Sequence, residues 1–401
     1  MDIINLGIIF VILIAVMLLR KPLYISLGLA ILAVILLYRI PIQEVGGILT
    51  RGIFSRSTIL LVLAFYAITF LQRMLEKRDR LTMAEIAVSN LFQSRRVNAM
   101  VIPFLIGFLP SPGAVLIAKP IVDKAVGDSL PVEETTVITS YYRHISESFL
   151  PTYASVMLAI QLSGVSISSF VLAMLPVVVI LFALGYFIYV RKVPSDTGLP
   201  PSSDRRQDLI NFLRGIWPIL LAVVLIVSFS MPVVLALIPV IILYFFVEKF
   251  SFKEITPFFK SAFEKRMTFI VIAAMVFREA LAFSGMIERL PSYFTGLPIP
   301  VEMVFAILMF VGTLIAGTQA MIAIVVPLAF SAIPDGGLAL LILLMSLSYI
   351  AMQISPTHVC LGIVTEAYKT SFASLVKKTI PLMIPFIVVI FAYFYLLRAV
   401  F

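Results

Sequence analysis

The residues best equipped for chemistry crowd into Tyr141-Tyr-Arg-His-Ile-Ser-Glu147 and the Pro151-Thr152-Tyr153 that follows. On a helix, Arg143 and Glu147 stand at i and i+4 and can pair, and His144 and Glu147 stand at i and i+3 on one face. Two readings stay open for them. Arg143 and Glu147 can simply neutralise each other, since an unpaired charge in an apolar setting is costly. Alternatively Arg143 faces an anionic solute while His144 or Glu147 is a protonatable coupling group. A second motif, Gln353-Ile-Ser-Pro-Thr-His358, repeats the proline-threonine-aromatic order later in the chain. Proline inside a helix removes one backbone hydrogen bond and obstructs another, so both motifs mark places where freed carbonyls and hydroxyls can meet a solute or an ion. Catalysis is not indicated. His144-x-x-Glu147 lacks the second histidine of a His-Glu-x-x-His pair, and no Gly-x-Ser-x-Gly elbow occurs. With Cys360 the single cysteine and His144 and His358 the two histidines, no disulfide, metal centre or cofactor is expected.

These motifs must be positioned by membrane helices. Of the 401 residues, 61% are hydrophobic and 13% charged, and the mean hydropathy of +1.12 rules out a soluble chain. The net charge of +9 is read as a set of topology marks, with no nucleic-acid partner implied. Residues 3–19 form a retained first span, because Asp2 precedes them and a basic leader region is missing. Apolar runs predict further spans at 23–38, 57–73, 136–162, 167–190, 215–230, 232–248, 267–285, 338–365 and 379–397. Segments 97–122 and 303–334 each carry a break, Pro110-Ser-Pro-Gly113 and Ala316-Gly-Thr-Gln319, and are read as re-entrant hairpins. With both hairpins re-entrant and the amino terminus outside, most of the 30 basic residues fall on the cytoplasmic side.

The polar stretch 191–210 divides the chain into 1–190 and 211–401. Each part runs through the same order: a span ending in charges, a hairpin, a proline-broken span and a final apolar helix. An odd number of crossings per half inserts the second upside down. The expectation is an all-α polytopic protein of two inverted repeats, each of five transmembrane helices and one hairpin. The hairpin tips add Gly113 and Gly317 for close backbone approach, and Ser111, Thr318 and Gln319 for neutral hydrogen bonds. From the breaks come Thr152, Tyr153, Ser355, Thr357 and His358. Lys119 and the neighbours Arg278 and Glu279 are left outside the site, the last two because adjacent helical residues point about 100° apart.

The tip Leu109-Pro-Ser-Pro-Gly-Ala114 resembles that of the gluconate permease family. Tyr142-Arg-His-Ile-Ser-Glu147 with Leu150-Pro-Thr-Tyr153, and Ser355-Pro-Thr-His-Val-Cys-Leu361, resemble the prokaryotic membrane family called domain of unknown function 401. Both belong to the ion-transporter superfamily. The resemblance implies an elevator-type, dimeric carrier of small organic anions in the cytoplasmic membrane, driven by protons or sodium. On it, Ser111, Pro112 and Gly113 match the first tip, and Thr152, Tyr153, Thr357 and His358 the broken helices. The paired Ser-Asn-Thr motifs of the sodium-coupled dicarboxylate branch have no counterpart at either tip, which favours the proton over sodium. The expected function is therefore proton-coupled secondary transport of a small carboxylate, sugar-acid-like because fixed positive charges are few. The alternatives are a membrane subunit that depends on a separate binding protein and a sodium-coupled carboxylate carrier.

Overall fold

The computed structural model describes residues 2–400 except 20, 81–82, 85–86, 88–93, 109–113, 196–203, 230, 287–288 and 290–297. The tip residues Ser111, Pro112 and Gly113 therefore lie outside the described residues. The rest is helical. The first half holds α1 (Asp2–Leu18), α2 (Leu23–Leu37), α3 (Ile42–Phe54), α4 (Arg56–Lys77), α5 (Arg95–Ile106), α6 (Ala114–Val126), α7 (Val132–Ile145), α8 (Ala154–Ser163) and α9 (Ile167–Ile188). The second holds α10 (Arg205–Ser228), α11 (Val233–Val247), α12 (Phe252–Ser261), α13 (Lys265–Phe283), α14 (Val301–Ala316), α15 (Thr318–Ala332), α16 (Gly337–Met352), α17 (Val359–Ala367) and α18 (Phe372–Val400). Four of these, α4, α9, α10 and α18, are each long and apolar enough to cross a bilayer. Together with six shorter apolar helices, they make the chain a multi-pass membrane protein.

Local chemistry sets the helix starts. Pro22, Pro41, Pro131, Pro232 and Pro300 occupy N-cap positions, where the missing N–H costs nothing. Elsewhere the Ser55, Ser94, Ser166 and Asp204 side chains accept from backbone N–H groups of the first turn. Helix α10 begins at Arg205, so the first turns of α10 fall within the polar stretch 191–210.

Two helices, α3 and α12, were not expected from the apolar runs. Both are amphipathic, so a search for unbroken hydrophobicity passes over them. Ile42 and Phe252, at their starts, are among the most exposed large apolar side chains. Each helix follows a turn containing a left-handed basic residue, Arg39 at φ 51° and Lys249 at φ 50°. The turns close alike, with Ile40 N–H donating to Ile35 carbonyl at 2.9 Å and Phe250 N–H to Phe245 carbonyl at 3.0 Å.

Packing sorts the helices into two groups. Helices α1–α4 pack mainly with α10–α13, and α5–α9 with α14–α18. Between the groups the principal contacts are α1 with α14, α4 with α8, α9 with α10 and α13 with α15. Within the second group each hairpin arm reaches the other half: α6 packs on α17, and α15 on α8. Ion pairs fasten these contacts. Glu134 at the start of α7 accepts from Lys192 at 2.9 Å and from Lys378 of α18 at 2.8 Å. Glu279, which had no evident partner in the sequence, receives Arg51 of α3 at 2.5 Å. Lys119 pairs with Asp123 at 2.5 Å and lies over the Tyr368 ring.

Helix α12 is held outside the spans by a local clasp. Ser251 Oγ accepts from Glu254 N–H while the Glu254 carboxylate accepts from Ser251 N–H, a capping box. Arg78, at the end of α4, donates to the same carboxylate at 3.0 Å. The Ser251 N–H and then Arg78 hold the Glu254 carboxyl at about 2, below its ordinary 4.5. A depressed carboxyl stabilises fully above its unfolded value and loses that contribution as pH falls through the folded one. The difference in unfolding midpoint between wild type and Glu254→Gln is thus expected near neutral pH, to shrink below 4.5 and to vanish near 2. Ser251→Ala should cost about 1 kcal/mol in unfolding experiments.

Candidate functional site

The two proline motifs fold into the same turn. Tyr153 N–H donates to the Leu150 carbonyl at 3.0 Å across Pro151, and His358 N–H to the Ser355 carbonyl at 3.1 Å across Pro356. In each case proline sits at the second turn position, where its fixed φ fits. Helix α7 thus ends in a short 3-10 segment, Ser146–Ser148, before the chain restarts as α8. Helix α16 likewise stops at Met352 before α17.

Side chains of the breaks then satisfy carbonyls at the ends of the first hairpin arms. Ser146 Oγ donates to the Phe104 carbonyl at 2.7 Å, and the Tyr153 hydroxyl donates to the Gly107 carbonyl. In the second half Ser355 Oγ lies 3.2 Å from the Thr313 carbonyl and 3.0 Å from that of Leu314. Close approach is required here. A Cβ on Gly107 would stand 2.1 Å from the Arg143 carbonyl, so only glycine lets α5 reach α7. At the other tip, Gly317 alone separates α14 from α15, with φ 84° and ψ 160°, a region essentially reserved for glycine.

Between these breaks lies a cavity of about 870 Å³. Of the residues predicted from sequence, it is lined by Arg143, Glu147, Thr152, Tyr153, Gly317, Thr318, Gln319, Ser355, Thr357 and His358. His144 is fully buried behind the lining. Helices of the other packing group close the cavity, contributing Gln72 and Arg73 from α4 and Met267 and Ile270 from α13. Sequence reasoning missed these residues. Arg73 pairs at the cavity wall with Glu76 at 2.9 Å and Glu264 at 3.5 Å.

The cavity gathers groups suited to an anion. Helices α8, α15 and α17 begin at its surface, and none of their N-cap residues, Tyr153, Gly317 and His358, supplies a side-chain cap. Apart from the Leu361 N–H, which donates to the His358 carbonyl at 3.1 Å, their first-turn N–H groups and partial positive charge face an occupant. The Thr152 and Thr318 hydroxyls are buried without a partner among the described residues. Arg143, 1% exposed along its side chain, is hydrogen-bonded to Glu147. Four basic side chains line the cavity (Lys21, Arg73, Arg143, Arg266) against three acidic ones (Glu76, Glu147, Glu264).

Contacts across the chain complete the site. His358 Nε2 stands 3.0 Å from His144 Nε2, although 214 residues separate them. His144 Nδ1 donates to the Ser140 carbonyl at 2.6 Å, leaving its Nε2 lone pair facing His358. Cys360, two residues beyond His358, also lines the cavity, and Arg143 Nη1 is 4.0 Å from its sulfur. No spacing rule in the sequence brings these groups together.

The family model described as "Protein of unknown function (DUF401)" matches residues 3–396. No curated protein matches the chain. Among solved structures, the chain is similar to the YdaH transporter of Alcanivorax borkumensis, whose crystal structure is reported to have an unusual topology. The TM-score is 0.59 at 12% identity, over 89% of this chain and 86% of that one. That likeness is one of fold.

The Gly317 turn gives this geometry a direct check. Gly317→Ala is expected to destabilise the protein by about 1–3 kcal/mol, read as a lowered unfolding midpoint of the purified protein. An unchanged midpoint would mean that the α14–α15 junction does not need this backbone conformation.

Proposed function

We propose that this chain, which belongs to the DUF401 family, is a secondary transporter of a small organic anion in the cytoplasmic membrane. The observation that carries the reading is the convergence of three uncapped helix N-termini and the Arg143 guanidinium on one cavity. Such an arrangement offers preorganised donors to a carboxylate. One buried arginine suits a monoanion of the sugar-acid type better than a tricarboxylate, which needs several cations at close quarters.

The place of the cavity supports alternating access. Its floor belongs to the group with the broken helices and hairpins, and its opposite wall to the group with α4 and α13. Sliding the first group against the second carries the solute across while leaving its donors intact, an elevator motion. In this reading the two halves are inverted repeats, supported by the repeated element order and the matching Arg39 and Lys249 turns. The proton is the coupling ion, since the described second tip, Ala316-Gly-Thr-Gln319, carries no Ser-Asn-Thr motif.

Purified full chain in proteoliposomes should show saturable counterflow of a small hydroxycarboxylate, stimulated by an inward proton gradient without sodium. Removing Arg143 alone strands the partly buried Glu147 charge, which costs up to about 3–5 kcal/mol and threatens folding. The neutral pair Arg143→Gln/Glu147→Gln avoids that. Loss of a charge-assisted hydrogen bond of about 1.5–3 kcal/mol should weaken anion binding roughly 10- to 100-fold. Undiminished counterflow by the folded double variant would refute the role of Arg143. Uptake only after a binding protein is added would make the chain a subunit of a larger carrier. A requirement for sodium would replace the proton as the driving ion.

A further inference from the structure

We propose that His144, Glu147, His358 and Cys360 form a binding site for a divalent transition cation of the zinc class, joining the two broken helices at the base of the cavity. The proposal stands apart from the identity of the transported solute. The ligating atoms of these four residues all lie within 4.8 Å of one another. Tetrahedral zinc with nitrogen at about 2.0–2.1 Å and sulfur at about 2.3 Å needs N···N and N···S separations of roughly 3.3 and 3.5 Å. The two Nε2 atoms are already 3.0 Å apart, and Glu147 Oε1 is 4.0 Å from His144 Nε2. Small side-chain rotations would close the set around a central ion.

The surroundings fit the same chemistry. A histidine ligand ordinarily donates its other ring N–H to a carbonyl or carboxylate, which fixes the tautomer. His144 does so through Nδ1 to the Ser140 carbonyl at 2.6 Å. Arg143 touches both anionic ligands, hydrogen-bonded to Glu147 and 4.0 Å from the Cys360 sulfur. It thus orients the carboxylate and stabilises the thiolate, the Cys360 proton passing to solvent on binding. Two imidazoles, a thiolate and one carboxylate oxygen select a borderline-soft cation over sodium, magnesium or calcium, which favour all-oxygen shells. With a divalent ion in place, the two anionic ligands and Arg143 leave one net positive charge at the cavity base, where an anionic solute would sit.

Cobalt reports this geometry directly. Metal-stripped full chain in nanodiscs is expected to bind one Co²⁺ per chain with a thiolate-to-cobalt absorption band, which Zn²⁺ then displaces. Zn²⁺ should raise the unfolding midpoint and shield Cys360, the single thiol of the chain, from maleimide. Cys360→Ser should abolish the band, and His358→Gln should weaken Co²⁺ binding at least ~10-fold. The wild-type protein alone decides the matter if either variant fails to fold. Absence of both the band and thiol protection at about 100 µM metal would overturn the site, as would undiminished binding by a folded Cys360→Ser/His358→Gln variant. Neither readout depends on transport, so failure here leaves the carrier reading to its own test.

Discussion

Backbone that leaves the helix at membrane depth must find its hydrogen bonds within the protein, because lipid offers none. The rest of this structure depends on that requirement. Pro151 and Pro356 each interrupt a helix, and each interruption is absorbed by a proline turn whose neighbouring hydroxyls reach carbonyls of a hairpin arm. The hairpins are therefore structural partners of the breaks as well as walls of the cavity. What the turns leave unsatisfied, chiefly first-turn N–H groups of α8, α15 and α17, is what the cavity presents to an occupant.

The halves complete one another. Helix α6 of the first hairpin packs on α17, and α15 of the second packs on α8. His144 finds its ring partner in His358 and Arg143 approaches Cys360. Polar groups of this kind are expensive in an apolar interior unless matched, and here each break supplies partners for the other. The seam between the two packing groups is joined by fewer elements, which makes it the natural surface for relative motion in the proposed carrier.

Features governed by neighbours along the chain were legible in the sequence. Arg143 and Glu147 could be paired from their i,i+4 spacing, and Pro151, Pro356 and Gly317 announce interruptions by residue type. Features governed by distant contacts were not. Nothing in the local pattern brings His144 to His358, gives Cys360 a place in the cavity, or supplies Arg51 to Glu279. The α4 and α13 side of the cavity was hidden for the same reason, since Gln72 and Met267 look like ordinary residues of apolar spans. Helices α3 and α12 escaped because their apolar faces alternate with charge. The same two histidines and one cysteine that look too sparse for a metal when counted become a compact donor set once the breaks are brought together.

The central claim, that the two breaks meet and share their polar partners, is tested most directly by a double-mutant cycle on His144→Gln and His358→Gln, reading unfolding free energy in metal-free protein. The contact at 3.0 Å predicts a coupling of at least about 0.5 kcal/mol between residues 214 apart in sequence. Additivity within about 0.3 kcal/mol would place the two breaks apart and contradict the account.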